Sequence, residues 1–160
     1  TINLAPTGDW SSIKGLDTLG PEPFTADFST KVLFPKLKGR RAAIKSLLLD
    51  QRLFAGVGNI YADEALFRAK LDPKTPAGKI GKAKFSSLLA ALEEVMEAAI
   101  SQHGTSFRNY VDGSGARGNF QNELAVYGKL GELCPRCGEK IERLVISGRG
   151  SYHCSGCQKE

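Results

Sequence analysis

The chain has 160 residues, 41% hydrophobic and 24% charged, enough for one or two small compact domains with a core. No apolar run approaches the length of a membrane span and no secretory leader opens the sequence, so a helical membrane protein is excluded and a cytoplasmic location is expected. The net charge of +5 is unevenly spread: residues 31–45 carry Lys31, Lys36, Lys38, Arg40, Arg41 and Lys45 with no acid, and residues 68–84 carry six basic residues against Asp72 alone. One such run is an ordinary solvated face; two runs around a glycine-rich turn point equally to a polyanionic partner.

In chain order, residues 1–23 read as a tail or linker, because Pro6, Gly8, Gly15, Gly20, Pro21 and Pro23 interrupt every periodic run. A first helix is expected over 25–37, a second over 41–50 with Ile44, Leu47 and Leu48 on one face, and a third over 59–69. Asp72-Pro73 and Thr75-Pro76 break the chain after it. The clearest helix spans 82–103, where Phe85, Leu88, Leu89, Leu92, Val95, Met96, Ala99 and Ile100 recur at steps of three and four and predict a core stripe ended by Gly104. A Gly, Asn, Asp and Ser-rich loop follows over 109–122, then a short helix at 124–126. Near the C-terminus, Ile141 and 144–146 predict one strand, 147–150 a turn and 151–153 a returning strand.

Cys134-x2-Cys137 and Cys154-x2-Cys157, with 16 residues between the pairs, have the spacing of a tetrathiolate zinc site rather than of a secreted disulfide frame. Four thiolates leave no open position, so the expected metal is one structural Zn2+ that contributes much of the folding free energy of a unit too small for its own core. "GSGARG" at 113–118 matches G-x-G-x-x-G but follows a long helix in a chain with no parallel sheet, so it is not a dinucleotide fingerprint. In "FAGVGNIYADEAL" (54–66), Asn59 suits an N-cap, and the glycines before it would let an anion approach unpaired N–H groups at a helix start. An ordinary helix–helix turn without a ligand explains the stretch nearly as well.

"LGPEPF" (19–24), "AIKSLLLDQRLFAGVGNIYADEALFRAKLDP" (43–73), "YVDGSGARGNFQNELAVYGKLGELCPRCG" (110–138) and "GRGSYHCSGCQK" (148–159) together resemble the C-terminal half of the formamidopyrimidine-DNA glycosylase / endonuclease VIII family. The resemblance implies a mainly α chain, with a helix-two-turns-helix DNA-binding domain over 24–127 and a small β-hairpin zinc finger over 128–160. It implies that Lys45, Gly58 and Asn59 hold phosphates beside an everted nucleotide, that Arg40 is a further DNA contact, and that Arg149 contacts phosphate and aids the elimination step. Thr105, Ser106, Arg108 and Tyr110 match the lining of a damaged-base pocket, and the stretch through Gly118 to Phe120 matches a loop that closes over the flipped base.

One departure counterbalances these matches. The family's chemistry uses an N-terminal proline amine, a glutamate beside it and a lysine on a β-sandwich, whereas this sequence begins Thr1-Ile2-Asn3 and offers no β-sandwich. The expectation is therefore the DNA-binding portion of a base-excision glycosylase/AP lyase for oxidised bases. Its partner would be double-stranded DNA holding a damaged base or abasic site, bound by a monomer and, in a bacterium, at the nucleoid. The alternatives are a non-catalytic damaged-DNA-binding module and, from another class, an RNA- or ribosome-binding zinc protein.

Overall fold

The computed structural model describes residue 13, residues 15–105 and residues 118–159. Ser106, Arg108, Tyr110 and most of the expected 109–122 loop lie outside these. Four α-helices, α1 (Thr30–Leu33), α2 (Ile44–Leu48), α3 (Asn59–Arg68) and α4 (Lys82–Ser101), precede an antiparallel hairpin of β1 (Glu142–Ile146) and β2 (Arg149–His153). The mainly α class and the terminal hairpin agree with expectation.

α4 packs along α3, and its stripe of Phe85, Leu88, Leu92 and Val95 is fully buried. Each such side chain stabilises the fold by about 1.5–3 kcal/mol relative to exposure. Phe54 sits between Phe28 and Phe85, with ring centroids 6.2 and 6.4 Å away, and ties α4 to the chain ahead of α3. Met96 packs at the edge of this core, but Ile100, expected on the stripe, is 67% exposed. The helix ends as a Schellman turn: the Gly104 N–H donates to Ala99 O and the His103 N–H to Ile100 O, with His103 as well as Gly104 at positive φ.

The other helix boundaries move inward. Residues 25–29 form turns, and Pro35 has no N–H to donate one turn back, so α1 tightens into a 3-10 turn over Phe34–Leu37. α2 begins at Ile44 rather than 41, because Ala43 pairs with Pro76 in an extended bridge; the Ile44 and Lys45 N–H groups then donate to Thr75 O and Pro73 O. Residues 124–126 are not helical. A 3-10 turn at Phe120–Glu123 precedes them, and the buried Glu64 carboxylate takes the N–H groups of Ala125, Val126 and Tyr127 at 2.8–2.9 Å.

Residues 19–23, expected to end a tail, lie against the α2–α3 connection: the Gly20 N–H donates to Gln51 O and the Ala55 N–H to Pro21 O. The hairpin register pairs Ile146 with Arg149, so the turn is only Ser147-Gly148 and Arg149 already belongs to β2. Both turn residues take positive φ, as a two-residue turn between right-twisted strands requires.

The hairpin unit docks on α3. Phe67 and Val126 share a small core with Cys134, Ile141 and Cys154, and the Arg136 guanidinium stacks 4.2 Å from the Phe67 ring centre while donating to Phe67 O. Gln158 donates to Leu71 O and Tyr152 N–H to Asp63, closing the joint from both ends.

Candidate nucleic-acid interface and metal centre

Three segments meet at an open groove of about 550 Å3, lined by Ser46, Leu49, Asp50, Gln51, Val57, Gly58, Asn59, Ser147 and Arg149. Its floor is the turn into α3. Gln51 shapes that turn by donating to Val57 O (3.0 Å) and accepting from the Gly56 N–H (2.9 Å), while Gly56 takes a φ of 77° that other residues resist. Gly58 differs. Its φ of −101° suits any residue, and a Cβ there would meet nothing within 4 Å. The absent side chain instead leaves the approach to α3 open. Among the described residues no side chain caps α3, so its leading N–H groups face the groove with the positive end of the helix dipole.

Asn59 is not the N-cap that its sequence position predicts. Gly58 holds that place, and the Asn59 side chain turns toward the zinc hairpin, donating to Gly150 O (3.0 Å) and to the Tyr127 hydroxyl (3.4 Å). Lys45 is also redirected. Its side chain is fully buried, 2.6 Å from Asp63 Oδ1 and 3.1 Å from Gly150 O, so it reaches no surface phosphate in this arrangement. Burial pulls the Lys45 ammonium below its ordinary range against the pull of Asp63, and burial pushes the Asp63 carboxyl up to about 6 despite Lys45. Gly150 O thus gathers two donors from the helical domain, and Arg149 is carried beside it at the groove's edge. Ser46 and Ser147, 2.7 Å apart through their hydroxyls, close the same seam.

Arg149 is exposed on the groove, and Arg40 is exposed near Asp50. Asp50 is the groove's one acid. Hydrogen bonds from Arg52 hold its carboxyl below the usual carboxylate range, and the bidentate pair offsets its charge. A second hollow, about 250 Å3, joins Gly58, Asn59, Ile60 and Tyr61 to Gly104 and Thr105. Thr105 therefore neighbours the turn. Gly118 is buried against Gly104, where a Cβ would come within 2.1 Å of Gly104 O, and Phe120 is buried near Tyr61. Phe120 is thus a core residue in this arrangement.

The four cysteine sulfurs lie within 4.8 Å of one another, with Cys134–Cys157 at 3.8 Å and Cys137–Cys154 at 3.4 Å. A zinc tetrahedron with bonds of about 2.3 Å has edges of about 3.8 Å, so the cage has the right size. Against the upward push of burial, the Arg136 and Cys137 N–H groups hold the Cys134 thiol down at about 7, while burial pushes Cys154 up to about 12. A divalent cation is what brings such unlike thiols to thiolate together. The donor set and the size of the cage fit one structural Zn2+.

Ser46, Gln51, Asp63, Glu64, Tyr127, Ser147 and Gly150 are not among the sequence-derived candidates. The available signal was Asp63-Glu64, two adjacent acids within an apolar helix, which a buried helix keeps only when both are paired.

The model for the formamidopyrimidine-DNA glycosylase H2TH domain matches residues 19–110, and that for the zinc finger found in FPG and IleRS matches residues 131–159. A formamidopyrimidine-DNA glycosylase of Desulforamulus reducens is 46% identical over 158 residues, covering 99% of this chain and 57% of that protein. One from Desulfitobacterium hafniense is 48% identical over 157 residues, covering 98% and 58%. Among solved structures, the MutM (Fpg) protein of Thermus thermophilus aligns with a TM-score of 0.87 at 46% identity, covering 94% of this chain and 57% of that one. Lactococcus lactis Fpg in complex with DNA containing an abasic site aligns at 0.83 with 40% identity, covering 89% and 52%. The chain spans a little over half the length of the relatives it matches. It belongs to the formamidopyrimidine-DNA glycosylase family, and carries that family's H2TH domain and zinc finger.

Proposed function

We propose that these residues hold duplex DNA around a damaged or abasic nucleotide, as the DNA-binding portion of a base-excision glycosylase and AP lyase acting on oxidised bases. The observation that carries this is the groove in which the open face of Gly58 and the uncapped start of α3 lie opposite Arg149. Backbone N–H groups at a helix start and an exposed guanidinium are both phosphate ligands, and phosphate contacts position a protein without reading sequence. The Lactococcus lactis relatives bound to abasic-site DNA and to Fapy-dG DNA support the same reading.

Within it, Lys45 and Asn59 act as positioning residues: they fix the hairpin carbonyl next to Arg149 rather than grip phosphate themselves. Arg40 supplies a flanking contact, and the hollow at Thr105 faces the flipped base. A monomer suffices for this interface, and in a bacterium it places the protein with the nucleoid. Among the described residues, no helix is long and apolar enough to cross a membrane.

Fluorescence anisotropy with labelled duplexes tests the reading. The zinc-loaded chain should bind an abasic duplex more tightly than an intact one, and both more tightly than a structured RNA of equal length. Preference for the RNA would replace this reading with an RNA-binding one.

A further inference from the structure

The second basic run is not absorbed by the groove. The groove lies at the start of α3, whereas residues 70–84 lie beyond its end, and a ten-residue helix separates the two by about 15 Å. There a hollow of about 430 Å3 is lined by Leu71, Thr75, Lys79, Ile80, Gly81 and Lys84.

Three features of this hollow select for an anion. α4, the longest helix at 20 residues, starts there with Gly81 as N-cap; no side chain among the described residues caps it, and its first turn holds no acid. The N–H groups of Lys82, Ala83 and Lys84 precede the first helical bond, which Phe85 makes to Gly81 O at 3.0 Å. Lys79 and Lys84 line the wall, and neither forms an ion pair among the described residues. Thr75, only 2% exposed, lines the same hollow, and its buried hydroxyl oxygen has no hydrogen-bond partner among the described residues. A buried hydroxyl left unpaired is costly, and an oxyanion in the hollow would give it an acceptor. Basic residues in a helix's first turn oppose the dipole unless an anion sits between them.

We propose that the α4 N-terminus, with Lys79, Lys84 and Thr75, is a second anion site that takes a phosphate group, separate from the groove at Gly58. The phosphate can come from free inorganic phosphate or from the backbone of a DNA segment passing the far end of α3.

The test is an amide NMR titration of the zinc-loaded chain with inorganic phosphate and, separately, with a short duplex. Gly81→Asp is the deciding variant. The backbone at Gly81 (φ −72°, ψ 154°) is that of an ordinary N-cap and a Cβ meets nothing within 4 Å, so the variant folds and caps α4 with its own carboxylate. Saturable shifts of the Lys82, Ala83 and Lys84 amides that disappear in Gly81→Asp and weaken in Thr75→Val support the site. Shifts with phosphate identify the free ion as a source, and shifts with duplex identify DNA. The proposal is overturned if neither ligand moves these amides, or if the shifts survive unchanged in Gly81→Asp.

Discussion

Lys45 and Asp63 form an ion pair of 2.6 Å in which neither side chain has any exposed surface. The pair lies beneath the seam between helical domain and zinc hairpin, because Lys45 also donates to Gly150 O and Asp63 also accepts from Tyr152 N–H. Buried charges are costly to leave single. Lys45→Met should therefore destabilise the chain by about 3–5 kcal/mol at pH 7.5, read by denaturant unfolding.

The pair also sets a pH dependence. Asp63 titrates at about 6 in the fold against 3.8 unpaired, so between these values the folded state binds more protons and this group's contribution to stability falls as pH rises. Lys45→Met removes the cation that holds that value down, so the Asp63 carboxyl should titrate higher still. The variant's deficit should then shrink on going from pH 7.5 to 5. A carboxyl carbon titration of Asp63 with a midpoint near 4 in the unaltered chain would contradict this assignment.

Gly58→Ala separates conformational need from ligand access. Its φ is ordinary and its surroundings empty, so stability should fall only by the preference of an N-cap for Gly over Ala, about 1 kcal/mol. If the proposed phosphate contact is right, duplex affinity should drop further, because the new methyl group would stand between the phosphate and the α3 N–H groups. A variant that folds and binds as before would mean that no ligand approaches this turn.

Arg149→Ala should weaken duplex binding by roughly 1–3 kcal/mol, the range for a lost hydrogen bond to a charged group. The side chain is exposed, so folding should be unaffected. Equal loss of affinity and stability would mark Arg149 as a structural residue.

Chelating zinc, or Cys154→Ser, should release the hairpin and with it the Gly150 carbonyl that Lys45 and Asn59 share. The Phe54–Phe85–Leu88 core does not depend on the finger, so most helical circular dichroism should persist while the Phe67 and Val126 contacts are lost. Collapse of the whole helical signal would show that the joint at α3 makes the two parts one cooperative unit.

Much of this was legible from local pattern. The cysteine spacing picked out the four thiols that the fold gathers into one metal-sized cage, and the three- and four-residue steps of α4 identified its buried stripe. What pattern could not give was direction over long separations. Lys45 and Asn59 are polar residues beside a glycine turn, and only the fold shows that both point at Gly150, 105 and 91 residues away. Ile100 continues the stripe in sequence, yet it lies exposed in the last turn of α4; periodicity defines a face, not how far that face is covered. The start of α2 escaped notice for a similar reason, since its first N–H groups are satisfied by Pro73 and Thr75 from a distant segment.

The central claim is that the groove at Gly58 and Arg149 holds DNA phosphates, and the salt dependence of abasic-duplex binding tests it most directly. Neutralising two or three phosphates predicts that log K falls linearly with log salt, with a slope of roughly −2 to −3, and that Arg149→Ala lowers the magnitude of that slope by about 1. An affinity that does not change between low and moderate salt, or a slope identical in Arg149→Ala, would contradict it.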